Sequence, residues 1–313
     1  MSFNYKIIAN RKKYFMISAV TIAIGLVFMI YNIAAGNGMF NLDVEFTGGT
    51  EITVDMSHDF NVEDVRQIVL DTTGVAPSQL QRIIGTNLIS IRMQELGSEQ
   101  RVALIDAIVT TYGLDAEEDI TMADVSGTIS GEMQRSAITA IVAACIAMLL
   151  YIAIRFRDLK IGTSMIIAAV HDVVIVLLFY SMLRISLNYA FIAAMLTVVG
   201  FSINATIIIF DRFRENKRFA AERVKENIMM SRKSIKEPTL EEQLDLSINQ
   251  TLLRCVYTAL FVLVVTLCLY ILGVPAMRDF ILPIIIATVY GTYSSVFLSG
   301  PIYYMMASRE KSE

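Results

Sequence analysis

Six stretches of the chain are apolar almost without interruption, at roughly 14 to 34, 136 to 154, 161 to 183, 188 to 210, 252 to 273 and 280 to 306. Each is close to the ~20 residues that a helix rising 1.5 Å per residue needs to cross a hydrocarbon core. Between the first two runs the pattern changes. Alternation from Val44 to Val54 predicts a strand, and Val62 to Leu70 a short amphipathic helix. Two strands, Leu80 to Ile84 and Leu88 to Met93, follow, joined at Gly85-Thr86-Asn87. Ser98 to Tyr112 reads as a second helix and Ile120 to Val125 as a last strand. That order, βαββαβ, predicts a small ferredoxin-like α+β domain attached to an α-helical membrane protein of six spans. The expected organisation is a tail and first span over 1–35, an outer domain over 36–133 and five spans over 134–313, with a cytoplasmic loop at 211–250. The first run follows Lys6, Arg11, Lys12 and Lys13. Its apolar core is longer than the 7 to 15 residues of a typical signal peptide and no A-x-A site follows it, so it reads as an uncleaved anchor.

Composition supports the membrane assignment. With 55% hydrophobic and 18% charged residues the chain is more apolar than soluble domains, in which about a quarter of residues are charged. A long disordered protein is excluded. The net charge of -4 provides no basic footprint for nucleic acid. The distribution of charge says more than its sum. Residues 37–133 carry four bases against seventeen acids, whereas the N-terminal tail and the link Arg155 to Lys160 are basic and 211–250 holds nine bases against eight acids. Lysine and arginine gather on the cytoplasmic side, so both termini are expected there and the acidic domain outside. Cys145, Cys255 and Cys268 all lie in apolar runs and read as small buried hydrophobes.

Charges inside the spans are the informative residues, because each costs about 2.5 to 3.5 kcal/mol near the bilayer centre and persists mainly where it meets a partner or water. Asp172 lies about 17 Å into the third span. Arg254 lies near the cytoplasmic start of the fifth span, and Asn204 and Thr206 lie some 9 Å from the cytoplasmic end of the fourth. These side chains are candidates to meet one another. His171 and Asp172 are adjacent, and neighbours on a helix point about 100° apart, so they are not expected to form one convergent site. With only two histidines, and His58 expected in an exposed turn of the outer domain, no metal site is expected. No nucleophile and base stand together, no metalloprotease motif occurs and no phosphate loop is present, so the chain reads as neither an enzyme nor a cofactor binder.

The most specific stretch is Val199-Gly200-Phe201-Ser202-Ile203-Asn204-Ala205-Thr206, followed by Ile207 to Asn216. It joins Val44-Glu45-Phe46-Thr47-Gly48-Gly49-Thr50 after the first span, Gly127 and Gly131-Glu132 before the second, and Tyr151 with Arg155-Phe156. His171-Asp172, Ile248 to Leu252 with Arg254, and Gly291 to Ser295 complete the set. In that order around six spans, these blocks resemble the SecD/SecF protein-export family of the RND superfamily, and within it the smaller half. The resemblance implies one RND-type half that pairs with a SecD-like subunit in a bacterial plasma membrane. It also implies use of the proton motive force to help the SecYEG channel move secreted, unfolded polypeptide on the outer side, within membrane lipid. The proton pathway would fall on Asp172, Asn204, Thr206 and Arg254.

One departure matters. The family's fourth-span motif carries an acid where this chain has Ala205, and a methyl group binds no proton. Three accounts stay open: the partner supplies the acid, Asp172 serves instead, or the chain is an uncoupled support subunit. The segment Phe46-Thr47-Gly48-Gly49-Thr50 reads as a tight bend into a strand, with hinge function the sharper, family-derived alternative. Residues 211–216 read as a charged anchor at the membrane edge, and 222–245 as an amphipathic helix lying at the interface. Rival functions are an RND-type exporter of lipids or small molecules and a non-coupled structural membrane subunit.

Overall fold

A computed structural model of the chain describes residues 5–309 apart from 58–59, 78, 84–85, 126, 157, 230–237 and 274–276. His58 and Gly85 therefore lie outside the described residues. Among the described residues six helices are long and apolar enough to span a membrane: Arg11–Ala34, Ile129–Phe156, Leu159–Leu183, Tyr189–Val224, Leu240–Leu272 and Arg278–Ser308, hereafter the first to sixth spans. The chain divides into two compact units, residues 42–139 and residues 1–41 with 140–313.

In the helical unit the third, fourth and sixth spans bury a far larger share of their residues than the first, second and fifth. The former make the interior, and the latter present apolar faces outward. That explains a difference from expectation at the cysteines: Cys255 is buried, but Cys145 and Cys268 are exposed on the second and fifth spans. An apolar run in a membrane helix need not face protein, because lipid satisfies it equally well.

The helices also run further than hydropathy alone suggests. The fourth continues to Met229 and the fifth starts at Leu240, opened by a reciprocal capping box between Thr239 and Glu242. Of the stretch 222–245 expected as one amphipathic helix, residues up to Met229 belong to the fourth span's helix and those from Leu240 to the fifth's, and 230–237 lie outside the described residues. Packing accounts for the extension. Phe210 and Phe213 bury against Leu244, Ile248 and Tyr303, and Ile7 and Ile8 join the same cluster. The N-terminal segment is pinned there because Asp245 Oδ1 accepts the backbone N–H groups of Ile7 at 3.0 Å and Ile8 at 2.9 Å.

Among its described residues the unit 42–139 has a four-stranded antiparallel sheet on which two helices pack. Across the sheet the strands run Gln79–Arg82, Leu88–Met93, Gly49–Asp55 and Ile120–Val125. Alternate residues Ile52 and Val54, and Ile89, Ile91 and Met93, turn to one face. They meet Val65 and Val69 from helix Val62–Thr73 and Leu104 and Ile108 from helix Ser98–Tyr112, four residues apart in each case. The opposite face carries a buried charge cluster. Arg92, 8% exposed, donates to Asp43 at 2.8 Å and to Glu51 at 2.9 Å, and Ser90 donates to the same Glu51 oxygen. Burial is the largest influence on Glu51 and holds its carboxyl above the usual range, despite Arg92 beside it.

The start of this unit departs from the predicted Val44–Val54 strand. Val44–Thr47 is a single helical turn capped by Asp43, whose carboxylate accepts the Glu45 N–H, and the strand starts at Gly49. Gly48 at φ 72° and Gly49 at φ 123° make the change of direction, in a region of backbone space that only glycine enters freely.

Candidate functional site

At one level of the helical unit small residues from several spans surround a buried carboxyl group. Asp172, 1% exposed, projects from the third span between Ala168, Ala169 and Val176, where neighbours of small volume let other helices approach. On the fourth span Ser202 and Thr206 are four residues apart and so share a face. On the sixth, Gly291, Ser294 and Ser295 form a matching inward face. A Cβ on Gly291 would lie 3.4 Å from Asp172 Oδ2, which shows how closely the sixth span passes the carboxylate.

Hydroxyls supply the contacts. Ser294 Oγ donates to Asp172 Oδ2 at 2.8 Å, and Ser202 Oγ donates to the same oxygen. Thr206 Oγ1 donates to Ser295 Oγ at 2.9 Å, and Ser295 Oγ donates to the Ser202 carbonyl at 3.2 Å. Thr206 is thus tied to the site through Ser295 and Ser202. The other carboxylate oxygen, Oδ1, lies 3.1 Å from His171 Nδ1, and His171 Nε2 lies 2.6 Å from Ser18 Oγ on the first span. This corrects the expectation that adjacent helix positions cannot converge. Their Cβ atoms do point apart, but the imidazole is long enough to fold back and set one ring nitrogen beside its neighbour's carboxylate. Since an ionised carboxylate only accepts, Nδ1 then carries the ring proton and Nε2 accepts from Ser18. Three spans, the third, fourth and sixth, meet at one carboxyl group, and the first joins them through Ser18 on His171.

The other predicted residues fall elsewhere. Asn204 is two residues from Ser202, about 200° round the helix, and it is exposed. Arg254 is exposed, off the buried stripe Ser247, Thr251, Cys255 and Ala259 of the fifth span. Neither side chain forms a hydrogen bond or ion pair among the described residues. Asp172 and Thr206 therefore belong to one network, and Asn204 and Arg254 to the outward faces of the bundle. Ala205 lies between them, half-buried. Ser202, Ser294, Ser295 and His171 stand in the sequence blocks that carry the resemblance but were not among the expected site residues, and Ser18 was in neither. The usable signal was small or hydroxyl residues recurring at three- and four-residue spacing inside apolar runs.

The segment Phe46-Thr47-Gly48-Gly49-Thr50 is firmly held within its own unit. The Phe46 carbonyl accepts from Ser130 Oγ at 2.7 Å and from the Gln134 amide. Thr47 Oγ1 donates to the Asp43 carbonyl at 3.1 Å. Thr50 is fully buried, donating to Asp124 Oδ1 at 2.6 Å and accepting the Leu96 N–H at 3.2 Å. No group of three or more metal-ligating side chains occurs among the described residues.

A family model described as protein export membrane protein SecD/SecF, C-terminal, matches residues 105–309. Similar proteins include the protein translocase subunit SecF of Alicyclobacillus acidocaldarius, 31% identical over 97% of this chain and 94% of that one. The SecF subunit of Thermodesulfovibrio yellowstonii is 32% identical over 94% of this chain and 93% of its own. The longer SecDF of Bacillus subtilis is 30% identical over 96% of this chain, which spans 38% of it. Among solved structures, that of SecDF from Thermus thermophilus, a translocon-associated membrane protein, superposes with a TM-score of 0.81 at 29% identity, covering 98% of this chain and 39% of that one.

Proposed function

The chain belongs to the SecD/SecF family of protein-export membrane proteins, and from that premise we propose that it is the SecF-type half of a proton-driven accessory to Sec-channel export. The natural fusion of both halves in one longer relative supports a SecD-like partner for this chain. In this reading the SecYEG channel and a secreted, unfolded polypeptide are the further partners, in a bacterial plasma membrane. Both termini face the cytoplasm, following the basic residues, and the acidic unit 42–139 lies outside as a ferredoxin-like domain. The turn Phe46–Thr50 links that domain to the first span.

The observation that carries the reading is Arg254. A guanidinium on the outward face of a membrane helix, with no anion among the described residues, is well placed to take its counter-charge from a partner subunit. Ala205 removes the family's acid from this half, so the partner's fourth span is its natural source. Asp172, Thr206 and, on the outward face, Asn204 complete the proton pathway. One proton crossing 100 mV releases about 2.3 kcal/mol, enough to shift a two-state movement appreciably.

The test is export driven by an imposed proton gradient, with the chain and its partner reconstituted beside the channel. Arg254→Gln is expected to abolish the proton-dependent component, while Ala205→Asp keeps or raises it. Normal gradient-driven export by Arg254→Gln removes the coupling role.

A further inference from the structure

His171 has a second ring nitrogen that the proposed pathway leaves unused. On one side Nδ1 meets Asp172 at 3.1 Å; on the other Nε2 meets Ser18 at 2.6 Å. The ring is nearly enclosed, with 11% of its side chain exposed, and the opening gives onto a cavity of about 220 Å³ between the first, third and sixth spans. Ser18, Thr21, His171, Tyr290 and Tyr293 are its polar or aromatic walls. A second cavity of about 200 Å³ shares Thr21, Ile175 and Tyr290 and adds Ile24, Gly25 and Met182. Together they run from the level of His171 towards the C-terminal ends of the first and third spans. In the proposed topology those ends lie outside, where protons are supplied. Asp172 itself has no such opening, being 1% exposed and covered by Ser202, Ser294 and Gly291.

We infer that His171 is the proton inlet of Asp172, a positioning residue that takes a proton at Nε2 from the cavity beside Ser18 and delivers one from Nδ1 to Asp172 Oδ1. The balance is simple. A hydronium ion in the cavity gives a proton to Ser18 Oγ and becomes water as the Ser18 O–H proton passes to Nε2; the Nδ1–H bond breaks as an O–H bond forms on Asp172. The imidazole ends neutral in its other tautomer, with Nε2–H donating to Ser18 and Nδ1 accepting from the new carboxylic acid. Ser18 can serve both tautomers because a hydroxyl both donates and accepts. The other groups facing the pair are Thr21 from the first span, Ser202 from the fourth, and Ser294, Tyr290 and Tyr293 from the sixth, so among the described residues no further charge competes for the proton. Neutralising the carboxylate turns the charge-assisted bonds from Ser202 and Ser294 into weaker neutral ones where the third, fourth and sixth spans meet, and that gives proton arrival a mechanical consequence.

This inference rests on Asp172 lying in the proton pathway, and its test needs neither partner nor channel. The full chain in lipid is followed by time-resolved infrared spectroscopy after a downward pH jump, with the Asp172 carboxyl band identified by its loss in Asp172→Asn. In His171→Gly the band is expected to appear about a hundredfold more slowly, the lower range for a positioned acid/base group. Free imidazole, which fills the space of the missing ring, is expected to restore the rate. Ser18→Ala, a milder change, is expected to slow the band by a smaller factor. An unslowed His171→Gly overturns the inlet, and a slowed variant that imidazole fails to rescue overturns it in favour of a packing role. A wild-type chain with no titrating Asp172 band overturns Asp172 as a carrier as well, a failure separate from that of Arg254 in the export assay.

Discussion

In unit 42–139 Arg92 lies between Asp43 and Glu51 at 2.8 and 2.9 Å, almost out of contact with solvent. In the helical unit Arg254 stands exposed on the fifth span, and the buried Asp172 is held by three hydroxyl or imidazole groups and, among the described residues, by no guanidinium or ammonium. The first region closes its charges internally: cation, anions and a serine hydroxyl satisfy one another within one sheet face and its lead-in turn. Among the described residues the second leaves a buried carboxyl group without a fixed cation and a guanidinium without an anion. A closed cluster resists change, since removing any member strands the rest. In the proposed function an open pair takes a mobile or borrowed charge, and energy enters the molecule there.

The comparison breaks most readily at the arginines. Arg92→Met is expected to destabilise unit 42–139 by about 3–5 kcal/mol, because Asp43 and Glu51 are then left close together and uncompensated. Arg254→Met is expected to change stability by no more than about 0.5 kcal/mol, as for an exposed residue away from any network. Hydrogen exchange of strands Gly49–Asp55 and Leu88–Met93 in the full-length chain reads the first effect, and thermal unfolding of the helical unit reads the second. Equal effects of the two substitutions would erase the distinction between closed and open regions.

A smaller effect tests how rigid the closed region is at its start. Gly49 has φ 123°, and a Cβ there would collide with the Met93 carbonyl oxygen across the sheet. Gly49→Ala is expected to cost about 1–3 kcal/mol from backbone strain, with exchange accelerating first at the pairing of Gly49 with Val125. An unchanged exchange pattern would mean that the turn has slack, which favours a hinge at Phe46–Thr50 over a fixed attachment.

The two regions were not equally legible. Six spans followed from run length and hydropathy, and the strand Leu88–Met93 from strict alternation, because burial on one face leaves a period in the sequence. The helical turn Val44–Thr47 was hidden behind residues of strand-forming type, and it took the Asp43 cap and two left-handed glycines to reveal it. Asp172 stood out as an acid in an apolar run. Its serine partners did not, because hydroxyls inside helices commonly bond their own preceding turn, as Thr206 also does to the Ser202 carbonyl at 3.2 Å. The separation of Asn204 and Arg254 from Asp172 was invisible for another reason. Depth along a span can be counted from the sequence, but which way a residue turns depends on how neighbouring helices pack.

The finest discrimination comes from Glu51, the one carboxyl in the closed cluster that burial holds above its usual range. A raised value means that the folded unit binds the proton more readily than the unfolded chain does. Between the ordinary glutamate value and the raised one, the folded form therefore carries more protons, and stability rises as pH falls through that window. Above it, the charged Glu51 imposes its full desolvation cost, offset in part by Arg92. Glu51→Gln has no proton to exchange, so this component of the pH dependence is expected to vanish in the variant. The measurement is the difference in unfolding free energy between the two full-length proteins across the acid range, which cancels the other carboxylates. A wild-type advantage that grows towards low pH is the expected sign. The opposite slope would mean that Arg92 prevails over burial and that the cluster behaves as an ordinary salt bridge, which would bring the closed region nearer to a charge-coupled site than its geometry implies.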